Sequence, residues 1–269
     1  MNLTSPSQVK AWCIENGFHP NKVLGQNFLI DRNALVAIVD AGFAGLAESP
    51  RILEVGPGLG VLTEEMLSRG ASVVAVEKDP ALAGRLKEAL GGPERLNVVA
   101  DDALRFIARG MEGRTFDAMV SNLPYQAGTR ILLDLVINRS IPRMTALVQT
   151  EVAERLAAGE GSKTRSLAGV WTQLDYDVKI VRKVAPTCFW PRPEVGSSVV
   201  TLTRHERNIA LSGEERRIFR SFTKKAFEHR RKQLGSVFKD MIQSTARAEE
   251  LSNDDWIKLV KGVASNEYT

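Results

Sequence analysis

The stretch Ser121–Tyr125, with the sequence SNLPY, places polar groups at the end of an apolar run, FDAMV. The side-chain oxygen of Asn122 can accept a hydrogen bond, and so can the Leu123 carbonyl, because Pro124 restricts Leu123 to an extended backbone. Tyr125 offers an aromatic face on which a flat ring can stack. Two acceptors and a ring suit the exocyclic amine of a nucleobase, on whose nitrogen positive charge develops during attack. A proline turn with a packed tyrosine is the alternative, and it leaves the leading amide without a role.

A glycine-rich turn precedes this motif in the segment ILEVGPGLG, residues 52–60. Such glycines let the backbone turn tightly and let a ligand approach main-chain N–H groups. Three polar side chains then follow or end predicted strands, at the edge where parallel sheets bind ligands: Glu77, Asp102 and Asn122. The Glu77 carboxylate suits the two hydroxyls of a ribose, and Asp102 can accept from an adenine amine. The combination predicts a cofactor that contains adenosine.

S-adenosylmethionine fits this pattern better than a nicotinamide dinucleotide does. The spacing of Gly56, Gly58 and Gly60 is GxGxG, which departs from the GxGxxG fingerprint of dinucleotide sites. The segment also carries no evident apparatus for hydride transfer. A glycine turn without a ligand is the alternative, and it does not explain the carboxylates at the following strand ends.

Strands and helices alternate through the first two-thirds of the chain. Apolar, often β-branched segments predict strands at 51–55, 72–76, 96–100, 116–120 and 144–149. Helical patterns lie between them at 62–70, 80–92 and 131–139. Two further strands, at 178–186 and 197–204, are predicted to pair antiparallel at the far side of the sheet. The alternation predicts a doubly wound, Rossmann-like α/β fold with right-handed crossovers.

After residue 204 the pattern changes to helices rich in basic residues. Residues 216–239 hold nine Lys or Arg and one acidic residue, and residues 214–238 carry apolar side chains at helical spacing. A final helix is predicted within 249–263, with Ser252 or Asn253 as its N-cap. We therefore predict a Rossmann-like domain at 1–204 and a small all-helical domain at 205–269. The positive charge suits a nucleic acid, and a solvated helix face would show the same pattern.

Composition disfavours several other classes of protein. No run of about 18 apolar residues is present, so no membrane span is expected, and the N-terminus lacks the features of a secretion signal. The two cysteines, Cys13 and Cys188, indicate a cytoplasmic protein without a disulfide framework. The three histidines show no metal-ligand spacing, so no metal is expected.

Taken together, GPGLG, Glu77, Asp102-Ala103-Leu104 and NLPY resemble the motifs of S-adenosylmethionine-dependent N6-adenine methyltransferases. The likeness extends to one family, the ribosomal RNA small-subunit adenine N6,N6-dimethyltransferases. Segments similar to those of that family are LGQNFLID, QTEVAERLAA, FWPRPEVGSSVVTL, AFEHRRKQL and RAEELSNDDWIKL. The resemblance therefore covers nearly the whole chain.

The resemblance implies roles for individual residues. The implied cofactor contacts are Gln26, Asn27, Leu29, Gly56, Gly58, Glu77, Asp102 and Asn122. The first three belong to a segment that closes over the cofactor in the family. From the residues alone, that segment is instead the start of a helix capped at Asp31, with Phe28 in the core.

The implied catalytic residues are Asn122, Leu123, Pro124, Tyr125 and Phe189. Phe189 would hold the flipped adenine against Tyr125, whereas the residues alone favour a core phenylalanine in a proline-stiffened loop. Basic residues of the C-terminal domain would contact RNA phosphates, namely Arg220, Lys224, Arg230 and Arg231.

Two segments near the expected target pocket depart from the family pattern. After NLPY the family usually has Asn or His, a β-branched residue and Ser or Thr, where this chain reads QAGTR, residues 126–130. In the second segment the family has Tyr-Gly before Leu-Ser-Val, where this chain has Arg165-Ser166 and Ala168-Gly169-Val170. The departures bear on substrate choice, rate and the number of methyl groups transferred.

The resemblance implies dimethylation of N6 of two adjacent adenines in the 16S RNA of the small ribosomal subunit, with a role in subunit maturation. The enzyme would be a monomer. Two alternatives stay open. One is a methyltransferase of large-subunit RNA of the macrolide-resistance type, which NLPY and GPGLG disfavour because that branch carries NIPY and a glycine–lysine variant. The other is a non-catalytic ribosome-assembly or nucleic-acid-binding factor, which the altered loop after Tyr125 keeps open.

Overall fold

The structure, a computed structural model, describes residues 1–21, 24–90, 94–207 and 211–264. The strands are β1 (Phe28–Leu29), β2 (Arg51–Val55), β3 (Ser72–Glu77), β4 (Leu96–Ala100), β5 (Ala118–Asn122), β6 (Arg143–Gln149), β7 (Tyr176–Val184), β8 (Phe189–Trp190) and β9 (Ser197–Arg204). The α-helices are α1 (Pro6–Glu15), α2 (Arg32–Phe43), α3 (Val61–Ser68), α4 (Pro80–Ala89), α5 (Ala103–Ala108), α6 (Gly128–Asn138), α7 (Thr150–Ala157), α8 (Leu167–Gln173), α9 (Gly213–Glu228), α10 (Leu234–Phe238) and α11 (Asn253–Ala264).

Seven strands form one sheet with the order β4-β3-β2-β5-β6-β9-β7. Strands β2 to β6 pair in parallel, so that Leu53 lies opposite both Val74 and Met119, whereas β9 runs antiparallel to β6. From β2 the chain winds outward through β3 and β4, then returns to β5 and winds in the other direction. Right-handed crossovers place the helices of the two halves on opposite faces, and the reversal opens a crevice at the carboxyl ends of β2 and β5. The predicted doubly wound α/β fold is confirmed.

The central strands are short and apolar because helices cover both of their faces. Ile52 of β2 is fully buried in a cluster that includes Ile38 of α2 and Leu62 and Met66 of α3. Burying one such side chain contributes about 1.5–3 kcal/mol to stability. This packing fixes the carboxyl ends of the strands, from which the candidate site is built.

Acidic residues begin the helices that follow strands β3 and β4. Asp79 accepts a hydrogen bond from the Ala81 N–H at 3.0 Å, and Asp102 accepts from the Leu104 N–H at 2.8 Å. Asp31 caps α2 in the same way, as predicted. Each cap satisfies an N–H that has no partner within its helix. The caps of α4 and α5 therefore hold two carboxylates close to the strand ends.

The chain forms two compact units, which we call the first unit (Met1–Ala153 with Lys179–Thr203) and the second unit (Glu154–Val178 with Arg204–Thr269). The predicted domains place residues 154–178 with the sheet. In the structure, however, Val170 of that segment lies in the core of the second unit, together with Phe219 and Trp256. The helix α8 thus contributes to the apolar core that its neighbours α9 and α11 form.

The segment 214–238 forms two helices, where its periodicity predicts helical structure throughout. Helix α9 ends at residue 228. The Leu234 N–H then donates to the Ala246 carbonyl at 2.8 Å, and the Gly235 N–H donates to the Ser244 carbonyl at 2.9 Å. A Cβ on Gly235 would lie 2.9 Å from the Ser244 oxygen, so this close approach requires glycine. Pairing between distant segments overrides the local pattern here.

Other element bounds lie close to the predicted ones. Strand β5 is shifted by two residues, so that Asn122 is its last residue and pairs with Leu147. Ser252 caps α11, because its hydroxyl accepts from the Asp255 N–H at 3.1 Å. The glycines expected to end α4, residues 91–92, lie outside the described residues.

Among the described residues, none of the helices has the length and apolar character that crossing a membrane requires. Within the same residues, no group of three or more His, Cys, Asp or Glu side chains is placed to hold a metal ion. Both cysteines are free thiols.

Candidate functional site

A cavity lies at the carboxyl ends of β2, β3 and β5, beside the point where the strand order reverses. Eleven predicted site residues line it: Gln26, Asn27, Leu29, Gly56, Gly58, Glu77, Asp102, Asn122, Leu123, Pro124 and Tyr125. All of them belong to the first unit. The structure therefore brings the glycine turn, the acidic strand ends and the NLPY motif into one place.

The glycine turn packs directly against the NLPY motif. Gly56 has a φ of +66°, in the left-handed region that favours glycine. A Cβ at this position would lie 3.5 Å from the Pro124 ring and 3.8 Å from the Asn122 carbonyl oxygen. The turn thus brings its backbone close to the end of β5, where a ligand could contact both segments.

Glu77 is a buried carboxyl at the end of β3. Its two oxygens accept from the Gly58 N–H at 3.0 Å and from the Asp79 N–H at 2.9 Å. Burial raises the pKa of Glu77, and these two backbone hydrogen bonds partly offset the rise. Each carboxylate oxygen retains a second lone pair, so Glu77 can also accept from the hydroxyls of a ribose.

Asp102 is held by two partners at the start of α5. One oxygen accepts from the Leu104 N–H, and the other lies 2.8 Å from the Lys78 ammonium. The hydrogen bond from Lys78 lowers the pKa of Asp102. Asp102 therefore stays ionised at neutral pH and keeps lone pairs for a further donor such as an adenine amine.

The Asn122 side chain has a fixed orientation. Its Nδ2 donates to the Asn27 carbonyl oxygen at 3.0 Å. Because a carbonyl only accepts, this contact assigns the nitrogen to the Asn27 side and leaves the side-chain oxygen as an acceptor on a cavity-lining residue. The amide is thus oriented before any ligand arrives.

The remaining groups of the motif extend the acceptor set. In the described part of the chain, no donor reaches the Leu123 carbonyl, and the Pro124 carbonyl accepts from the Gly128 N–H at 2.8 Å. The Tyr125 hydroxyl lies 2.6 Å from the Ser197 hydroxyl, which anchors the far end of the ring. Burial raises the pKa of Tyr125, so the phenol is neutral and its ring is available for stacking.

The N-terminal segment of the cavity is tied down by its own amides. The Gln26 Nε2 donates to Asp79 at 2.9 Å, and the Asn27 Nδ2 donates to the Gly25 carbonyl at 3.2 Å. Leu29 is buried in the core cluster although it also lines the cavity. Gln26 thus positions the segment, and its amide is already engaged by protein groups.

Phe189 occupies the core. It is 2% exposed, pairs with Leu29 across the β1–β8 ladder and belongs to the same apolar cluster as Val184 and Val199. It is absent from the residues that line the cavity. This arrangement corresponds to the core phenylalanine that the residues alone favour, and it gives no support to the stacking role implied by the resemblance.

Sequence reasoning missed Glu54, a cavity-lining carboxyl inside β2 that is 1% exposed. Its Oε2 accepts from the Thr63 hydroxyl at 2.6 Å. Burial raises the pKa of Glu54 to about 8, the Thr63 hydrogen bond opposes the rise, and the nearby Glu77 carboxyl adds to it. An acidic residue within the apolar strand ILEV was the signal that could have revealed it.

The four basic residues predicted to contact RNA lie in the second unit and differ in exposure. Lys224 and Arg231 are exposed, whereas Arg220 and Arg230 are half-buried. The Arg230 guanidinium also lies 3.5 Å from the Glu249 carboxylate. Lys224 and Arg231 are therefore the better placed of the four to meet a polyanion.

The strand order and the site together define a class of protein. The sheet has a parallel part that reverses between β2 and β5, and β9 pairs antiparallel with β6. A reversal of this kind carries the ligand crevice of Rossmann-like proteins. The glycine turn, the Glu77 carboxyl and the Asn122 acceptor line that crevice. The chain is Rossmann-like in fold, and its cavity lies at the ligand crevice typical of that class.

The comparison with known proteins identifies the family. A profile of the family described as ribosomal RNA adenine dimethylase matches residues 17–264. The ribosomal RNA small subunit methyltransferase A of Deinococcus radiodurans is 42% identical to this chain over 246 residues, which cover 90% of this chain and 80% of that protein. The chain belongs to the ribosomal RNA adenine dimethylase family.

Two solved structures resemble the fold. A dimethyladenosine transferase from Plasmodium falciparum superposes with a TM-score of 0.76 at 22% identity, covering 89% of this chain and 98% of that one. The 23S rRNA methyltransferase ErmE superposes with a TM-score of 0.68 at 26% identity, covering 87% of this chain and 98% of that one.

The position of Phe189 generates a first prediction. Phe189→Leu should lower the free energy of unfolding by about 1–1.5 kcal/mol, because it leaves part of a core site unfilled. Methyl transfer measured at 20 °C, where the variant is folded, should stay within about threefold of wild type. Chemical denaturation and initial rates check the two parts.

Tyr125→Leu is the matched comparison, because that ring lines the cavity. We expect it to lose turnover more than tenfold at a temperature where it is folded, since stacking contributes about 1–3 kcal/mol per base. A Phe189→Leu protein with wild-type stability and strongly reduced turnover would show that Phe189 acts on the base.

The buried Glu54 carboxyl generates a second prediction, on the stability of the ligand-free protein. Its pKa is about 8 in the folded chain and 4.5 ordinarily, so the folded state holds a proton that the unfolded chain releases. The bound proton therefore contributes to the free energy of unfolding. This contribution is complete below pH 4.5 and is lost as the pH rises through 8, and the loss is on the order of 4 kcal/mol. The pKa values of Asp101 and Asp102 are lowered, so their contributions to stability change only in acid, outside this pH range.

Glu54→Gln should remove most of this dependence. The difference in unfolding free energy between the variant and wild type should therefore grow in favour of the variant between pH 5 and pH 8.5. Urea denaturation at a series of pH values measures it. Parallel curves for the two proteins would show that Glu54 does not carry a proton in the folded state.

Proposed function

We propose that this protein transfers methyl groups from S-adenosylmethionine to N6 of adenines in small-subunit (16S) ribosomal RNA, two per adenine and at two adjacent adenines, as a step of subunit maturation. Membership of the adenine dimethylase family supports the reaction. The small-subunit methyltransferase of Deinococcus radiodurans, at 42% identity, supports the choice of RNA.

The oriented Asn122 amide carries this proposal. An adenine amine is a weak nucleophile because its lone pair is delocalised into the ring. Acceptors that are aimed at its N–H groups stabilise the positive charge that develops on nitrogen during attack. The Asn122 side-chain oxygen is held in place by the contact between its Nδ2 and Asn27, and the Leu123 carbonyl is a second acceptor beside it.

The target base has to leave its stack to reach these acceptors. The Tyr125 ring, anchored through Ser197, offers an aromatic surface that offsets part of the unstacking cost. The reaction needs no general base within the site, because the methylated ammonium is acidic enough to release its proton to water. The protein's contribution is thus positioning and hydrogen-bond acceptance.

The cavity fits S-adenosylmethionine. Gly56 and Gly58 leave room for a ligand beside the backbone, and the Glu77 and Asp102 carboxylates retain lone pairs for ribose hydroxyls and an adenine amine. When bound, S-adenosylmethionine supplies an electrophilic methyl group on a sulfonium. The Asn27–Leu29 segment would cover it, with Gln26 holding that segment to Asp79.

We further propose that the basic surface of the second unit binds RNA phosphates, chiefly through Lys224 and Arg231. Both side chains are exposed, whereas Arg220 and Arg230 are half-buried and Arg230 lies close to the Glu249 carboxylate. Such contacts add affinity without reading sequence. The proposed working form is a monomer in the cytoplasm, with no metal, on the small ribosomal subunit.

A second candidate is methylation of large-subunit RNA. The 23S rRNA methyltransferase ErmE superposes with a TM-score of 0.68 at 26% identity, and this likeness supports methylation of large-subunit RNA as the second candidate. The leucine in NLPY and the GPGLG turn argue for the small-subunit branch. Binding of RNA without transfer is the third outcome, because the loop after Tyr125 departs from the family.

The central prediction concerns Asn122. The wild-type protein, with methyl-labelled S-adenosylmethionine and unmethylated small subunits, should place label in dimethyladenosine. Asn122→Ala should reduce the rate of transfer by about 10²–10³, because one preorganised acceptor is lost. Nucleoside digestion and chromatography identify the labelled product.

Asn97→Ala is the matched control, since Asn97 is an exposed asparagine on β4 away from the cavity. Label only in large-subunit RNA would favour the second candidate. RNA binding without label would favour a non-catalytic factor. Retained turnover in Asn122→Ala would contradict the role assigned to its amide.

The basic surface gives a further prediction. The double variant Lys224→Gln with Arg231→Gln should bind small-subunit RNA more weakly at every salt concentration. The slope of log affinity against log salt should fall by about 1–2, because each lost phosphate contact removes roughly 0.7–0.9 of counterion release. Filter binding between 50 and 300 mM salt, approximate bounds chosen to span that regime, measures the slope.

Lys10→Gln with Lys87→Gln is the control of equal charge change, since both lysines are exposed on the first unit. It should leave the slope close to that of wild type. Equal slopes for the two double variants would show that the second unit has no special role in phosphate contact.

A further inference from the structure

The charged side chains of the cavity are unequally balanced. Those that line it are Glu54, Glu77, Lys78, Asp101 and Asp102. Asp102 pairs with Lys78, and Asp101 pairs with Arg109. In the part of the chain that the structure describes, no basic side chain pairs with Glu54 or Glu77. Among the described residues, the one basic side chain that lines the cavity, Lys78, pairs with Asp102, so the two buried carboxyls have no cationic partner.

Of these two carboxyls, Glu54 has the poorer set of partners. From α3 it is met by the Thr63 hydroxyl, and from β3 by the Glu77 carboxyl, which has the same charge sign. Glu77 by contrast accepts two backbone N–H groups. The other charged groups that line the cavity are Lys78, Asp101 and Asp102, which are already paired.

The side chain of Glu54 leaves the sheet on the face that carries the methyl-transfer groups. In the parallel register of β2 and β5, Ile52 lies opposite Ala118. Residues two apart in a strand point to the same face, so Glu54 shares its face with Asn122 at the end of β5. Both side chains belong to residues that line the cavity. Glu54 thus lies on the same face of the sheet, and in the same cavity, as the residue proposed to accept from the adenine amine.

We infer that Glu54 responds to the charge of the cofactor: its carboxyl ionises when the sulfonium of S-adenosylmethionine enters the cavity, and it regains a proton when the neutral thioether product remains. This inference rests on the proposed function. The exchange is balanced, since the protonated carboxyl gives one proton to solvent as the cation binds and takes one back after the methyl group has gone.

The physical basis is that a sulfonium cannot donate a hydrogen bond. It is stabilised by charge alone, and a carboxylate in a buried site interacts with it far more strongly than one in water would. The ammonium of the cofactor is common to substrate and product and can donate to carbonyl oxygens. With its pKa raised to about 8, Glu54 is mostly protonated at pH 7 in the ligand-free protein.

A functional consequence follows for selectivity. The ionised carboxylate favours the substrate, which carries a sulfonium, over the product S-adenosylhomocysteine, whose thioether sulfur is neutral. Methyl transfer converts the sulfonium into a neutral thioether, so the product loses its attraction to the Glu54 carboxylate and binds more weakly. Glu54 would therefore act as a specificity-determining residue that reduces product inhibition.

The test is isothermal titration calorimetry of cofactor binding without RNA, at pH 7.0 in phosphate and in Tris. The two buffers differ in ionisation enthalpy, so the difference in heat reports protons released. Wild-type protein should release nearly one proton with S-adenosylmethionine and close to none with S-adenosylhomocysteine. Between pH 6 and 7 the Kd of S-adenosylmethionine should fall about tenfold, while that of the product stays nearly constant.

Glu54→Gln keeps an acceptor for Thr63 and should abolish the proton release, with the preference for substrate over product reduced at least about tenfold at pH 8. Glu88→Gln, an exposed glutamate of α4, is the matched control and should behave as wild type. The wild-type comparison of the two ligands needs no variant, so it decides the matter even where Glu54→Gln does not fold.

Equal proton release with both ligands would overturn the inference, because the carboxyl would then respond to the ammonium, which both ligands carry, and not to the sulfonium. Unchanged release in a folded Glu54→Gln protein would overturn it as well. Failure to bind either ligand would instead count against the proposed function, so the two failures are distinguishable.

Discussion

The hydrogen bond from the Asn122 amide to the Asn27 carbonyl joins the end of β5 to a segment 95 residues earlier in the chain. Without it the amide could rotate and present its NH2 group to the cavity, which would repel the N–H groups of an incoming amine. The bond is possible because β5 continues in register with β6 as far as Asn122, opposite Leu147. A Cβ at Gly25 would lie 3.2 Å from the Tyr125 nitrogen, so glycine lets the N-terminal segment approach the motif closely. The acceptor geometry thus depends on the whole central sheet.

The electrostatics of the cavity follow from where its carboxyls sit. Asp79 and Asp102 cap helices, so both carboxyls accept from backbone N–H groups near the strand ends. Glu77 is buried and also receives backbone donors, whereas Glu54 has a single hydroxyl. Carboxyl groups placed in this way suit a ligand that donates hydrogen bonds and also carries a positive charge. An adenosine with a sulfonium has both properties, and a neutral nucleoside has one of them.

Much of the fold could be predicted from sequence because the local signals agree with the tertiary structure. Strand β2 and strand β9 have the predicted bounds, and the caps at Asp31 and Ser252 are confirmed. Prediction was less accurate where distant segments decide. The segment 214–238 is divided into α9 and α10, and Gly235 at the start of α10 pairs with Ser244, a contact with no local signature.

The candidate site shows the same limit. Strand-end carboxylates and the NLPY order could be found from spacing, because parallel strands align their carboxyl ends. The ion pair of Lys78 with Asp102 and the Tyr125–Ser197 contact require the folded chain. Glu54 was overlooked because a single acidic residue in an apolar strand gives no spacing pattern.

The departures from the family pattern after Tyr125 change residues that pack beside the NLPY motif, and they leave its hydrogen-bond acceptors in place. The Gly128 N–H donates to the Pro124 carbonyl, and a Cβ there would lie 3.1 Å from the Leu123 Cβ, so glycine permits a tight turn that packs on the motif. Arg130 is exposed and pairs with Asp134 on α6, one turn away. The bond from Asn122 to Asn27 involves none of these residues. Methyl transfer chemistry should therefore be preserved, and any change in the RNA chosen would have to arise from surfaces outside the acceptor set.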